Sequence, residues 1–442
     1  MSTIRPRERQ AIIQSLRAGV TPRVGLERIQ VGRVNEVNAL ITDLDNISNG
    51  GSAFRIVIGD FGAGKSFFLQ LIRYIALKKG LVTVNADLSP DRRLYSRTGQ
   101  TRNLFRELTA NMSTRAQPDG NAVLSVVEKF VGEQQRIAQE QGKDPEQIIK
   151  QSLNSLSEMV DGYDFANVVA AYWRAYNLGD ENLKNAAVRY LRGEYTLRSD
   201  ARRDLGVHAI IEDHNVYDHL KLWARFVRLA GYQGLLVNLD EMANVYKLSN
   251  SRSRNACYEQ ILHMLNNCLQ GSVEGIGFLL GGTPDFMYDD QRGVFSYDAL
   301  KTRLAENSFA KIAGVTDYSA TVLPLNNLSP EDIYVLLQRI RLVFCPDDET
   351  RLLTNDALKA FLLHCSQNIG EAYFRTPRNT IKSFVDLLSV LDQNPALKWE
   401  TLIGSIKIER EVDGETLTTL KDSSDEAGSS DGDDDELASF KL

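Results

Sequence analysis

An eight-residue motif, Gly59 to Ser66, constrains the fold more than any other stretch of this chain. It reads Gly-Asp-Phe-Gly-Ala-Gly-Lys-Ser and fits the phosphate-binding pattern G-x-x-x-x-G-K-[ST]. The apolar run 54–58 before it predicts a buried strand, and residues 67–78 after it predict a helix with one apolar side. This order brings backbone N–H groups and the positive end of a helix dipole to the loop, where both attract phosphate oxygens.

The loop predicts ATP with Mg²⁺ as the cofactor. Lys65 is expected to reach the β- and γ-phosphates, and the Ser66 hydroxyl is expected to bind Mg²⁺. A chance match in a glycine-rich turn is the alternative. The predicted nucleotide contacts along the loop are Gly59, Asp60, Phe61, Gly62, Ala63, Gly64, Lys65, Ser66 and Phe67.

A second motif, the apolar run 234–241, ends in Asp240 and Glu241 and has the form of a Walker B strand. Asp240 is predicted to hold Mg²⁺ through water, and Glu241 to polarise the attacking water. A buried strand that ends in two exposed acids is the alternative. Downstream of a phosphate-binding loop, the pair predicts ATP hydrolysis and favours the ATPase branch with an extra central strand.

Two further segments resemble ATPases of the AAA+ class. Val31-Gly32-Arg33 with Glu36 resembles the G-R-x-x-E motif beside the adenine base, so Val31 and Arg33 are predicted nucleotide contacts; a capped surface helix is the alternative. The buried strand 275–282 ends at Thr283, the position where that class keeps a polar sensor of the γ-phosphate. A turn-forming Thr-Pro pair is the alternative there.

Two arginines are assigned by the same resemblance. In ring-forming ATPases an arginine after this strand reaches the neighbouring subunit's γ-phosphate; Arg303 is the candidate and Arg292 the runner-up. Arg378, within Arg-Thr-Pro-Arg-Asn, resembles the second sensor arginine at the start of a lid helix. For each of them a surface arginine is the alternative.

The expected fold is α/β, a three-layer P-loop NTPase of the AAA+/ASCE type with a large helical insertion and a C-terminal helical lid. The predicted parts are a basic helical segment near the adenine site (1–50), the ATPase core (51–89 and 231–325), the insertion (90–230), the lid (326–395), a small extension with a β-hairpin near 412–414 (396–420), and an acidic disordered tail (421–442).

The net charge of −7 is unevenly distributed along the chain. Residues 422–436 hold eight acids and no base, so the rest of the chain carries +1, whereas the first 33 residues carry +5. Such asymmetry favours a nucleic-acid or partner surface. The insertion's Arg189, Arg192, Arg198, Arg202 and Arg203 are further candidates for nucleic-acid contact, with a solvated face as the alternative.

Cysteine spacing and hydropathy point to a cytoplasmic location. The four cysteines lack C-x-x-C spacing and are expected to be reduced thiols without a metal site. No apolar run reaches the length of a membrane span, and the polar start predicts no secretory signal.

The two Walker motifs, the helical insertion, Leu-Gly-Gly-Thr-Pro and Arg-Thr-Pro-Arg-Asn together resemble a bacterial family of BREX-system ATP-binding proteins from phage-defence islands. The likeness covers roughly residues 20 to 395. It implies an ATPase or ATP switch that works on DNA with other defence proteins, often a helicase. A homo-oligomer is also expected. Two function classes stay open, a DNA-acting motor or loader and a slow nucleotide switch that recruits a partner; a metabolic kinase is a distant third.

Overall fold

Five parallel strands form the centre of the molecule, and the computed structural model describes them within residues 4–348, 350–369 and 377–403. They are β1 (Ser52–Ile58), β2 (Val82–Asp87), β3 (Leu235–Asp240), β4 (Ile276–Gly282) and β5 (Val322–Pro324). Their order across the sheet is β2-β3-β4-β1-β5, so β4 lies between the strand before the loop and the strand that ends in Asp240. The strands are largely buried, because helices cover both faces of a parallel sheet.

The helix predicted for residues 67–78 is observed as α4 (Lys65–Lys78), and further helices make up most of the rest of the described chain. They are α1 (Pro6–Arg17), α2 (Leu26–Ile29), α3 (Val34–Ser48), α4 (Lys65–Lys78), α5 (Gln100–Ala110), α6 (Val123–Gln141), α7 (Pro145–Ser157), α8 (Gly162–Leu178), α9 (Glu181–Leu191), α10 (Arg198–Leu205), α11 (Val216–Leu229), α12 (Ala243–Tyr246), α13 (Ser251–Leu269), α14 (Pro284–Tyr288), α15 (Asp298–Arg303), α16 (Ser308–Ala313), α17 (Pro330–Phe344), α18 (Asn355–Ile369), α19 (Pro377–Gln393) and α20 (Trp399–Ile403).

Each face of the sheet has its own apolar core. Alternate strand residues such as Val84 and Val237 point to one face and pack with the insertion helices and α13. On the other face, Val57 and Leu236 pack with α3 and α4. The described chain is therefore a mixed α/β fold with a parallel five-stranded sheet, which is compatible with a P-loop NTPase.

A third core joins the two ends of the described chain. Ile12 and Leu16 of α1 pack with α17, α18 and α19, and Phe384 of α19 is fully buried there. Arg17 also donates a hydrogen bond to Ser389 and lies 3.7 Å from Asp386 on α19. The amino-terminal helix is thus assembled with the C-terminal helices, whereas α3 packs on the sheet.

The predicted β-hairpin is wrong at its beginning. Trp399–Ile403 is helical, because Trp399, Leu402 and Ile403 have i, i+3, i+4 spacing and pack on this third core. The rest of the predicted hairpin and the acidic tail lie outside the described residues, as do Arg375 and Thr376.

The helices give no sign of a membrane span. Within the described ranges, none is both long enough and apolar enough to cross a bilayer.

Candidate nucleotide-binding site

The loop 59–66 joins the end of β1 to the beginning of α4. Gly64 has φ 86°, a left-handed conformation in which a Cβ would be strained, and α4 begins at the next residue. The Lys65 ammonium donates hydrogen bonds of 2.9 Å to the carbonyl oxygens of both Gly59 and Asp60. These bonds fix the Lys65 charge over the loop, in front of the amino-terminal end of α4.

Ser66 and Asp240 meet beside the loop. The Ser66 hydroxyl donates a 2.6 Å hydrogen bond to Asp240 Oδ2, and the Glu241 backbone N–H donates a 2.9 Å bond to Asp240 Oδ1. Gly281 on β4 leaves room for this carboxylate, since a Cβ there would lie 2.4 Å from Asp240 Oδ1. The Asp240 carboxylate can therefore take this position only because residue 281 of β4 has no side chain.

The oxygen atoms at this place fit a hydrated Mg²⁺ ion. A hydroxyl beside a carboxylate is a hard donor pair, and Mg²⁺ commonly keeps several waters and uses few protein ligands. Among the described residues, no group of three His, Cys, Asp or Glu side chains could hold a metal ion by itself. Phosphate oxygens and water would have to complete the coordination.

Glu241 lies directly after β3 and lines the same cleft as Lys65. Its φ of 58° is uncommon for a residue other than glycine, and such conformations concentrate at functional sites. Partial burial raises the pKa of the Glu241 carboxyl, and Asp240 and Asp87 raise it further, while Lys65 opposes them. Partial burial also lowers the pKa of Lys65, against the attraction of Asp240 and Glu241.

Thr283 follows β4 and also lines the cleft. Its hydroxyl oxygen accepts a 3.3 Å hydrogen bond from the Phe286 N–H and so caps α14. A threonine hydroxyl has one donor and two acceptor positions, so this capping bond leaves its hydrogen available for another acceptor. Thr283 therefore begins a short helix, in line with the turn-forming alternative, and it also lines the cleft.

Arg33 and Val31 also line the cleft. The Arg33 guanidinium donates hydrogen bonds to the carbonyl oxygens of Ala63 in the loop and Asn326 before α17. Burial lowers the pKa of Arg33 to about 10, although Glu36 and Asp332 act in the other direction. Arg33 therefore links the loop to the segment that leads into the C-terminal helices.

An apolar surface extends the cleft away from the phosphate loop, and sequence reasoning found only Val31 within it. Its members come from the amino-terminal segment, from the segment around α17, and from α19: Leu16, Val20, Pro22, Ile29, Leu328, Leu336, Pro377 and Ile381. Such a surface suits a planar base. A signal that could have found more of it is Pro377, which is adjacent to Arg378 in the sequence.

Arg378 reaches the cleft from the first turn of α19. Its guanidinium carbon lies 5.4 Å from the centroid of the Phe61 ring, within the range of a cation–π contact. Its charge also lowers the pKa of Lys65. Arg378, Phe61 and Lys65 are thus brought together, although Arg378 follows Lys65 by more than 300 positions.

The two candidates for a trans arginine lie elsewhere. Arg303 Nε donates a 2.8 Å hydrogen bond to Asn266 Oδ1, at an exposed place on α15. Arg292 donates to the carbonyl oxygens of Tyr246 and Leu248 at 3.2 and 3.1 Å. Neither lines the cleft of its own chain.

Asp87 is a residue that sequence reasoning missed. It ends β2 and is the register partner of Asp240 on β3. Burial raises the pKa of Asp87, and Asp240 raises it further, while Arg92 opposes both. The largely apolar run 81–88, which precedes Ser89-Pro90, is the sequence signal that could have placed Asp87 near the end of a strand.

Several predicted nucleic-acid contacts are paired with other residues of this chain, some of them at its surface. Arg28 pairs with Glu8 at 2.8 Å, and Arg198 and Arg203 pair with insertion carboxylates. Arg189 lies over the Tyr195 ring. Arg5, Arg7 and Arg202 are exposed.

A comparison with protein families finds one match for this chain. The family model described as BREX system ATP-binding protein BrxC/D matches residues 4–407. A comparison with curated proteins finds no match.

Proposed function

The chain belongs to the family of BREX system ATP-binding proteins BrxC/D, and we propose that it is a Mg²⁺-dependent ATPase that couples ATP binding and hydrolysis to assembly or remodelling of a DNA-associated phage-defence complex. Family membership by itself supports an ATP-binding role in such a defence system. Hydrolysis and remodelling are the further steps of the proposal.

One observation carries it. Lys65, Ser66, Asp240 and Glu241 line a single cleft at the carboxyl end of the parallel strands. In this arrangement a positive charge faces the phosphates, a hydroxyl lies beside a carboxylate, and a second carboxylate is within reach of an attacking water. Thr283 and Arg378 border the same cleft and add two further polar groups.

Each group has a role that follows from its chemistry. The N–H groups of 62–66 and the Lys65 ammonium bind the phosphate oxygens, and Glu241 accepts the proton of the attacking water. When bound to Ser66 and Asp240, Mg²⁺ supplies neutralisation of the phosphate charge. Thr283 donates to the γ-phosphate, and Arg378 places a positive charge across the cleft from Lys65.

We propose an AAA+ layout for the chain. In this layout 51–89 and 231–325 form the ATPase core, 90–230 a helical insertion, 326–395 the lid, 396–420 a small extension and 421–442 an acidic tail, while 1–50 closes the adenine site. A second copy of the chain would supply Arg303, or Arg292, to the γ-phosphate. Because Arg303 is exposed on α15, it is accessible to a neighbouring subunit.

A slow nucleotide switch is the second candidate function. It is favoured by the shared core of α1 and the C-terminal helices, since the cleft is bounded by both this core and the phosphate loop. A nucleotide that contacts both surfaces would set the angle between them. A partner, such as a helicase of the same defence system, would bind only one of these arrangements, and this recruitment does not require fast ATP hydrolysis.

ATP turnover of the full chain, measured with and without DNA, separates the two functions. A rate that DNA stimulates supports the motor or loader, whereas negligible turnover with ATP-dependent assembly, seen as a change in particle mass, supports the switch. Failure to bind ATP at all would contradict both.

A further inference from the structure

The end of β2 lies at the candidate site. Asp87 and Asp240 are the last residues of neighbouring parallel strands and are register partners. Register partners in adjacent strands direct their side chains to the same face of the sheet. Asp240 uses that face to reach Ser66 of α4, so the Asp87 carboxylate lies on the α4 side, next to the Asp240 carboxylate.

Backbone hydrogen bonds hold this pair in place. The Leu88 N–H donates a 3.0 Å bond to the Asp240 carbonyl, which extends the ladder by one residue beyond Asp87. The Asn244 side chain donates a 2.8 Å bond to the Leu88 carbonyl. The turn that carries Glu241 is therefore tied to the segment that carries Asp87.

The same face of these two strands is polar further down. Asn85 and Asn238 are register partners two positions before Asp87 and Asp240, and Asn238 is only 4% exposed. Within the described chain, the Oδ1 atoms of both asparagines are buried without a hydrogen-bond partner. The polar character of this face therefore continues from two buried, unpaired amide oxygens to the two carboxylates at the ends of the strands.

No cation of the described residues is paired with Asp87. Arg92, the arginine whose charge acts on it, lies 3.4 Å from Glu107 and is engaged there. Asp87, Asp240 and Glu241 therefore bring three negative charges to one edge of the sheet, beside the phosphate-binding loop. Like charges so close repel each other, and a hydrated divalent cation would relieve that repulsion.

We propose that Asp87 is a positioning residue of this site, whose carboxylate accepts a hydrogen bond from a water of hydrated Mg²⁺ when Mg-ATP is bound. This inference rests on the proposed function and deepens it. Asp87 acts on the nucleotide through water and leaves proton transfer to Glu241. Outer-sphere partners of this kind typically contribute about 10- to 100-fold to metal affinity.

The test is the affinity of the full chain for ATP, measured by calorimetry with excess Mg²⁺ and with EDTA. In the isosteric Asp87→Asn variant, the gain in affinity that Mg²⁺ brings should fall by about tenfold. In EDTA the same variant should bind ATP as tightly as wild type or more tightly, because a negative charge beside the phosphates has been removed. Asp87→Glu should recover part of the Mg²⁺ effect.

Asp91→Asn is the matched control, since Asp91 is an exposed acid in the segment that follows β2 and lies outside the cleft. It should leave the Mg²⁺ effect unchanged. An Asp87→Asn protein in which Mg²⁺ raises ATP affinity as much as in wild type would overturn this inference and leave the proposed function standing. A loss of affinity equal with Mg²⁺ and EDTA would also overturn it, because it indicates a structural role. A wild-type chain that does not bind ATP would overturn the proposed function as well.

Discussion

The Ser66 hydroxyl donates a 2.6 Å hydrogen bond to the Asp240 carboxylate, across 174 positions of sequence. The bond joins the first turn of α4 to the end of β3. It brings together a hydroxyl and a carboxylate, two oxygen groups that suit a hydrated Mg²⁺ ion.

Lys65→Ala should abolish ATP binding, because it removes the positive charge that faces the β- and γ-phosphates. Calorimetry or a fluorescent ATP analogue measures the effect. Lys78→Ala, at the other end of α4, is the control and should bind ATP normally. A folded Lys65→Ala protein with unchanged affinity would refute the site assignment.

Glu241→Gln should retain ATP and lose turnover by about 10²–10⁴-fold, since it removes the base and leaves Asp240 beside Ser66. Phosphate release measured next to ATP affinity separates the two effects. Normal turnover would show that Glu241 is not the base.

The same variant should also change the dependence of stability on pH. A carboxyl whose folded pKa is raised destabilises the fold when ionised, so that cost is present above the raised pKa and absent below the ordinary value of 4.5. Glu241→Gln should therefore melt higher than wild type near neutral pH and equally below pH 4.5. If wild type and Glu241→Gln melt at the same temperature at every pH, the raised pKa of Glu241 is contradicted.

Gly281→Ala should displace the Asp240 carboxylate, because the new Cβ would lie 2.4 Å from Asp240 Oδ1. We expect a loss of about 1–3 kcal/mol in the free energy of unfolding and a weaker effect of Mg²⁺ on ATP affinity. Gly132→Ala, on α6 where a Cβ meets nothing within 4 Å, is the control and should keep full stability. Equal behaviour of the two variants would argue against a tight fit at β4.

Arg378→Ala should weaken ATP binding by about tenfold, because it removes one charge from the wall of the cleft that faces Lys65. Lys382→Ala removes an exposed charge one turn further along α19 and serves as the control. If both variants lose ATP affinity equally, the loss comes from the lower net positive charge of α19, and Arg378 makes no specific contact with the nucleotide.

The sequence alone determined the local parts of this protein. The loop 59–66, the helix after it and the strand that ends in Asp240 were readable because glycine geometry and apolar spacing act over a few residues. Those rules also make the parallel α/β class and an ATP-binding loop readable in advance.

Only the tertiary structure decided which distant residues share the cleft. The pairing of β2 with β3 places Asp87 beside Asp240, and the packing of α1 on α19 builds an apolar wall from both ends of the described chain. Arg303, chosen by its position after β4, donates a hydrogen bond to Asn266 at an exposed place, so its predicted role depends on a second copy of the chain. Periodicity shows which side of an element is apolar, but strand order and helix packing decide what that side meets, because they arise from burial summed over the whole chain.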